Sequence, residues 1–253
     1  SFKYSYRHEG HRIPLFDREK DSKNQKKDGQ EEDMIVTIDG PAGSGKSTVA
    51  RIIAVRYNFV YLDTGAIYRA LGYLAKKRKI NVYNENEVVK IIPYLDITLT
   101  SGENPRVFLS GEDITLVIRT EEIGMLASTV SKYKTVREKL LDLQRSFREK
   151  GDVIAEGRDT GTVVFPDADI KVFLTASVEE RAKRRWKELR EKRVNAEFEE
   201  ILESLIKRDL QDSSREVAPL IPAKDALVID TTNMTIEEVV EKIGSMIDGK
   251  RSL

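Results

Sequence analysis

The sequence predicts an α/β fold of three layers, α/β/α, on a central parallel sheet of five strands, with a small antiparallel β insertion and a helical arm. Three observations predict it. Five short runs of β-branched and aliphatic residues recur along the chain, each leading into a helical stretch or a turn before one. The alternation is interrupted once, around 95–109, where apolar and polar residues alternate on either side of a Ser-Gly-Glu-Asn-Pro turn, as in a hairpin. Two strongly charged helical stretches, 177–193 and 198–214, stand together before the last strand.

Composition bounds the function. The chain has 253 residues with 40% hydrophobic content, enough for one large or two small domains. Lys+Arg and Asp+Glu both number 43, so the net charge is zero and nothing in it calls for a nucleic-acid polymer or a membrane surface. Without cysteine there is neither a disulfide framework nor thiol chemistry. No apolar run approaches the ~20 residues of a membrane span, and no apolar leader is visible, so the expected location is the cytoplasm.

Residues 1–33 differ from the rest. The stretch 18–33 is almost wholly polar or charged and reads as a disordered or appended tail. Phe2, Tyr4 and Tyr6 alternate with polar residues and fit a short strand or a docking segment. His8 and His11 form an H-x-x-H pair, but histidines in a polar tail are most often simply solvated, and they are given no role.

The first core strand, Met34 to Asp39, runs into Gly40-Pro41-Ala42-Gly43-Ser44-Gly45-Lys46-Ser47, which fits G-x-x-x-x-G-K-[ST] at every fixed position. Helical spacing follows from Thr48 to Tyr57. Strand, glycine-rich loop and helix are the setting in which this motif grips phosphate. Glycines let successive N–H groups face the anion, and the helix adds its positive end. Lys46 can reach the β- and γ-phosphates, and Ser47 can offer a hydroxyl to Mg²⁺. A plain glycine-rich turn between strand and helix would not require all of these residues.

The second strand, Phe59 to Leu62, ends in Asp63-Thr64-Gly65-Ala66-Ile67-Tyr68-Arg69 and a helix to about Lys79. A helix from Asn84 to Ile92 stops at Pro93, and the hairpin follows. Helices are expected over 121–131 and 134–150. The third strand, Asp152 to Glu156, leads to Gly157-Arg158-Asp159-Thr160-Gly161-Thr162. The fourth is Ile170 to Leu174, the fifth Ala226 to Asp230, and a helix from Thr235 to Ile247 closes the chain.

In a parallel sheet, ligands gather at the carboxyl ends of the strands. Arg69 and Arg158 lie in two such loops, and Arg137 on a later helix; converging, they would clamp an anion. Each alone reads more commonly as surface charge, Arg137 most of all and Arg158 least, since Arg158 sits in a Gly-flanked loop just off an apolar strand. Arg181, Arg184 and Arg185 share one helix face, and Arg208, Asp212 and Arg215 follow at i, i+4 and i+7. Spacing leaves two readings open: a solvated, salt-bridged helix pair, or a lid that closes arginines over a transferring phosphate and keeps out water.

Several stretches together resemble the bacterial cytidylate kinase (CMP kinase) family. They are Ile38-Asp39-Gly40-Pro41 through Ser47, Leu62 to Arg69, Ile118-Arg119-Thr120-Glu121-Glu122, Glu156 through Ala168, and Ala218-Pro219-Leu220. The phosphate loop is shared by many nucleotide-binding proteins; the 63–69 and 157–168 stretches are far more specific. The likeness runs from about 34 to 247. It implies a P-loop nucleoside monophosphate kinase that moves the γ-phosphoryl of ATP to CMP or dCMP with Mg²⁺.

The resemblance also implies an organisation and residue roles. A core of 34–62 and 151–247 would carry a lid at about 181–215, and 63–150 would be the NMP-binding region with its hairpin, leaving 248–253 as a C-terminal tail. Residues 40–48, including Thr48, would bind ATP, with Ser47 on Mg²⁺. Arg69, Arg158 and Arg215 would hold the phosphate of CMP, and Thr64 and Tyr68 would also bind CMP. Ser128, Arg137 and Asp159 would read cytosine, and Arg208 and Asp212 would hold the ribose region. Lys46, Arg181 and Arg185 would act at the transferring phosphate. A monomer is implied.

An ionised Asp159 and the Ser128 hydroxyl can accept from the cytosine amino group, whereas uracil would set a carbonyl lone pair against them. The alternatives are another small-acceptor P-loop kinase, such as a UMP/CMP, adenylate or shikimate kinase, and a nucleotide-dependent switch. A second arginine-lined site argues against the switch. The tail has no counterpart in the family pattern.

Overall fold

The computed structural model describes residues 3–5, 33–191 and 193–252. His8, His11, Phe2 and Tyr6 lie outside the described residues, as does most of the expected tail. The chain order is β1 (Lys3–Ser5), β2 (Ile35–Asp39), α1 (Lys46–Tyr57), β3 (Val60–Asp63), α2 (Thr64–Lys77) and α3 (Glu85–Ile91). Then come β4 (Ile97–Thr100), β5 (Val107–Leu109), β6 (Glu112–Asp113), α4 (Glu121–Val130) and α5 (Lys134–Arg145). The last part holds β7 (Val153–Gly157), β8 (Ile170–Thr175), α6 (Val178–Glu191), α7 (Phe198–Ser213), β9 (Leu227–Asp230) and α8 (Ile236–Arg251).

The central sheet has the order β3-β7-β2-β8-β9 and every pair in it is parallel, as expected. Strands buried on both faces need apolar side chains on both. β2 meets this by alternation. Val36 and Ile38 pack with α1 and α8, in a core containing Val49, Ile53, Val240 and Ile243. Ile35 points to the other face, into a core with Ile67 and Leu71 of α2, Ile123 of α4 and Leu140 of α5. The switch point of the strand order lies between β7 and β2, and the loops after both strands open at the same sheet end.

The insertion is a four-stranded antiparallel sheet, β1-β4-β5-β6, and not a hairpin alone. β1 lies inside the stretch expected as a tail. It pairs with β4 in the register Lys3↔Thr100, Tyr4↔Leu99 and Ser5↔Thr98, a contact too remote in sequence for local patterning to reveal. Two further boundaries differ. The helix expected over 134–150 ends at Arg145 and continues as a 3₁₀ turn, Ser146–Lys150. α8 runs on to Arg251, past the end expected at Ile247.

α6 and α7 form a pair with its own small core, where Ala182, Ile201 and Leu205 meet Val178, Trp186 and Leu202. α7 ends at Ser213, so Arg215 is not on that helix: it lies two residues beyond the end, where the chain turns. Among the described residues, no helix is long and apolar enough to cross a membrane.

Candidate active site

The phosphate loop joins β2 to α1. Gly40 has φ +145°, and a Cβ there would sit 1.9 Å from the Leu174 carbonyl oxygen, so only glycine fits. Lys46 is buried and its Nζ donates to the Pro41 carbonyl at 2.6 Å, folding the side chain back along the loop. Burial, and then the charge of Arg158, hold its pKa well below the ordinary lysine value. Lys46 thus feels the charge of Arg158 although the two come from different strand ends.

Beside the loop stands Glu156, the penultimate residue of β7. Its Oε1 accepts from the Ser47 hydroxyl at 2.5 Å and from the Tyr61 hydroxyl at 3.0 Å. Burial and the neighbouring Glu156 charge push the Tyr61 phenol well above its ordinary value, so it stays a donor. Sequence reasoning passed over Glu156 as a site residue; its place at the end of an apolar strand, before Gly157, was the available signal.

Asp63, last residue of β3, caps α2 by accepting from the Ala66 N–H at 2.9 Å. Its other oxygen meets Arg119 at 3.0 Å and Arg69 at 3.4 Å. Burial works against the charge, but Arg119 and Arg69 outweigh it and hold the carboxyl below its usual value. Thr64 donates to the Glu156 carbonyl at 2.8 Å and so ties the start of α2 to β7. Local sequence does not mark Arg119 for this role, because its pairing with Asp63 crosses more than fifty positions.

A second cluster joins four segments. Asp212 of α7 accepts from Arg158 Nε at 2.9 Å, pairs with Arg215 and accepts from the Ser128 hydroxyl at 3.2 Å. Burial opposes its charge, but Arg158, Arg215 and Arg208 together keep its carboxyl below the ordinary range. Gln211 donates to the Ser128 hydroxyl at 2.7 Å, so Ser128 accepts from one neighbour and donates to the other. Arg137 pairs with Asp159 and donates to the Ser131 carbonyl at 3.1 Å, with its guanidinium 5.4 Å from the centre of the Tyr68 ring. Arg137 was the arginine whose sequence setting most resembled plain surface charge; it is 7% exposed. Arg208 is held at about 10 by burial and by the adjacent Arg158 charge. The Nε groups of Arg137, Arg208 and Arg215 are buried without a hydrogen-bond partner.

The three arginines of α6 diverge in their contacts. Arg181 is buried and donates to the Ala42 carbonyl of the phosphate loop at 3.0 Å, to the Ala176 carbonyl at 3.0 Å and to Asp209 at 2.6 Å. Arg184 turns to Thr231, donating to its hydroxyl at 3.0 Å and its carbonyl at 2.5 Å. Arg185 pairs with Glu188 and reaches the Arg119 carbonyl at 3.5 Å. The arrangement brings Arg181 onto the phosphate loop and Arg185 toward the insertion, and it is not a simple solvated pair.

A model of the cytidylate kinase family matches residues 36–249. Cytidylate kinase of Bacillus cereus (strain ATCC 10987 / NRS 248) is 46% identical over 215 residues, 85% of this chain and 96% of its own length. Cytidylate kinase of Bacillus thuringiensis (strain Al Hakam) matches with the same identity and coverage. The chain belongs to the cytidylate kinase family. Solved structures resemble it more loosely. A shikimate kinase from Bacteroides thetaiotaomicron covers 85% of this chain and 98% of its own at 12% identity with a TM-score of 0.42, and no part of the assignment rests on it. The cytidylate kinase match begins after β1, so the strand that completes the insertion sheet lies outside the matched span.

Proposed function

We propose that this protein transfers the γ-phosphoryl group of ATP to CMP or dCMP, giving ADP and CDP or dCDP. The observation that carries the reading is the meeting of two loops at one sheet end: the phosphate loop follows β2, the Arg158 loop follows its parallel neighbour β7, and Ser47 of the first donates to Glu156 two residues before Arg158. A phosphate-gripping loop beside an arginine-rich acceptor pocket is more than a simple nucleotide switch needs.

The parallel-sheet unit supplies the donor side. Residues 40–48 would cradle the ATP phosphates with backbone N–H groups, and Lys46 would follow charge onto the β- and γ-oxygens. The hydroxyl of Ser47 and the carboxylate of Glu156 are hard oxygen donors 2.5 Å apart, the donor type Mg²⁺ takes. Among the described residues no group of three or more His, Cys, Asp or Glu forms a metal cage, which suits an ion held mainly by substrate phosphates and water. Mg²⁺, when bound, would neutralise charge on the transferring group. Ser47 would be its protein ligand, with Glu156 orienting that hydroxyl.

On the acceptor side, Arg69, Arg158 and Arg215 would hold the phosphate of CMP, Thr64 and Tyr68 would line the same pocket, and the unpartnered Nε groups of Arg137, Arg208 and Arg215 suit an anionic or carbonyl acceptor. Asp159 and Ser128 would accept from the cytosine amino group, while Arg137 donates to the ring's acceptor edge. Arg208 and Asp212 would lie at the ribose. The acceptor's phosphate oxygen is already a nucleophile, so no strong general base is needed. Arg181 and Arg185 would carry charge to the transition state as α6 and α7 cover the site.

The test is ADP release with ATP and Mg²⁺ against CMP, dCMP, UMP, AMP and shikimate in parallel. Fast turnover of CMP and dCMP, slow turnover of UMP and none of AMP or shikimate is the expected pattern. Equal CMP and UMP rates would leave a kinase but remove the cytosine pocket. No turnover with any acceptor would leave a nucleotide-dependent switch.

A further inference from the structure

We propose that Asp39 is a positioning residue for the acceptor nucleotide: its carboxylate ties the loop carrying Arg158 and Asp159 to the strand that launches the phosphate loop. The proposal rests on the reading that this loop holds CMP.

Asp39 is the last residue of β2, directly before Gly40. Its Oδ1 accepts from the Thr160 N–H at 2.8 Å and from the Thr160 hydroxyl at 2.6 Å, and its Oδ2 accepts from the Gly161 N–H at 2.7 Å. Thr160 and Gly161 open the π-helical turn Thr160–Val164, so the carboxylate fixes where that turn begins. Arg158 and Asp159 are the residues immediately before. A carboxylate accepting from two backbone N–H groups and a hydroxyl has little freedom, and neither has the chain it grips. A Cβ on Gly157 would sit 2.4 Å from Thr64 Oγ1, and one on Gly161 would sit 2.8 Å from Thr37 Oγ1. The loop is thus wedged between α2 and β2, with no slack for a substituted backbone.

Asp39 touches neither proposed substrate site by hydrogen bond. It sets the spacing between them. Transfer between two bound nucleotides depends on their alignment to within a fraction of an ångström, and Asp39 is a direct link from the end of one phosphate-bearing strand to the acceptor-reading loop.

The charged groups around it are few. Asp159 faces it from the loop and repels its charge, while Lys46 at the start of α1 attracts it. Lys171 of β8 passes Gly161 with its Cδ but turns its Nζ to the Pro166 carbonyl and Asp225. Thr37 beneath is uncharged, as are Gly157 of β7 and Phe173 of β8, the residues paired with Asp39 across the sheet. Burial is the largest influence and raises the carboxyl to about 6, within the range where a kinase can be assayed. Protonation would leave one oxygen unable to accept as before, and the loop would loosen.

The experiment compares wild type, Asp39→Asn, Thr160→Val and Asp159→Ala in steady-state kinetics from pH 5 to 8.5. Asp39→Asn should raise the KM for CMP about tenfold while leaving the KM for ATP within about twofold. Thr160→Val, which removes only the hydroxyl bond, should give a smaller rise in the same parameter. The wild-type to Asn ratio of kcat/KM for CMP should shrink toward one below pH 6; the ionisation of CMP itself is common to both enzymes and cancels. An unchanged KM for CMP in both variants, an equal rise in both KM values, or a ratio flat with pH would overturn the proposal. Asp159→Ala separates the two levels. If it leaves CMP binding intact, the reading of the loop as the CMP site fails; if it weakens CMP binding while Asp39→Asn does not, only the role of Asp39 fails.

Discussion

Ser47 and Tyr61 donate to the same oxygen of Glu156, from the phosphate-loop helix and from β3. The carboxylate is thereby fixed from two sides, and the Ser47 hydroxyl has its proton committed. Both lone pairs of that hydroxyl stay available to the loop mouth. Replacing Glu156 with Gln swaps a charged acceptor for a neutral amide that can also donate. A hydrogen bond to a charged group is worth about 1.5–3 kcal/mol, so kcat with MgATP should fall about 10- to 100-fold. The KM for CMP should change little. Steady-state kinetics of Glu156→Gln check this, and an unaltered kcat would remove Glu156 from the donor site.

Lys46→Ala should nearly abolish turnover while CMP binding remains measurable by calorimetry. The lysine lies on the donor side, and its loss removes positive charge from the transferring group alone. A parallel loss of CMP affinity would show that Lys46 serves the acceptor as well.

Arg137→Ala should lower stability by about 3–5 kcal/mol, because it leaves Asp159 buried beside an empty space and without its cation. Arg137→Met with Asp159→Asn should recover part of that loss, since neither remaining group is an unpaired charge. Chemical denaturation of Arg137→Met, Asp159→Asn and the double variant beside wild type measures the coupling. Additive losses would mean that the pair is not energetically linked.

The carboxyl of Asp39 stands near 6 in the folded protein against an ordinary 3.8. A carboxyl raised by folding binds its proton more tightly in the folded state. Its contribution to stability is therefore full below about pH 4 and is lost as pH rises through 6. Wild type should gain about 2 kcal/mol relative to Asp39→Asn between pH 8 and pH 4. Denaturation of both proteins across that range tests it, with the common titration of other groups cancelling in the difference.

Much of the fold was legible because its signals are local. Five apolar runs, a glycine-rich loop and Pro93 behave as written wherever they fall. Candidate site residues stood out in the sequence where residue type and strand end coincide, as at Lys46, Arg69 and Arg158, and the fold brings their loops to one sheet end. What escaped were partnerships. Arg137 looks like any helix arginine until α5 is folded against the turn carrying Asp159. Glu156 and Asp39 look like strand-end acids until hydroxyls and N–H groups from other segments converge on them. The extent of the insertion escaped for the same reason: Lys3–Ser5 and Ile97–Thr100 lie more than ninety positions apart, and three residues of alternation say nothing about which edge they will find.

That pairing has a consequence for how the molecule meets its own kind. An exposed strand border is an open row of backbone donors and acceptors, ready to template a neighbouring molecule. β1 occupies the outer border of β4, while the opposite border of the sheet ends in the two-residue β6. Without β1 the border of the sheet would be the four-residue backbone of Ile97–Thr100; with β1 in place the two borders are strands of three and two residues, the short kind of edge least able to template a neighbour.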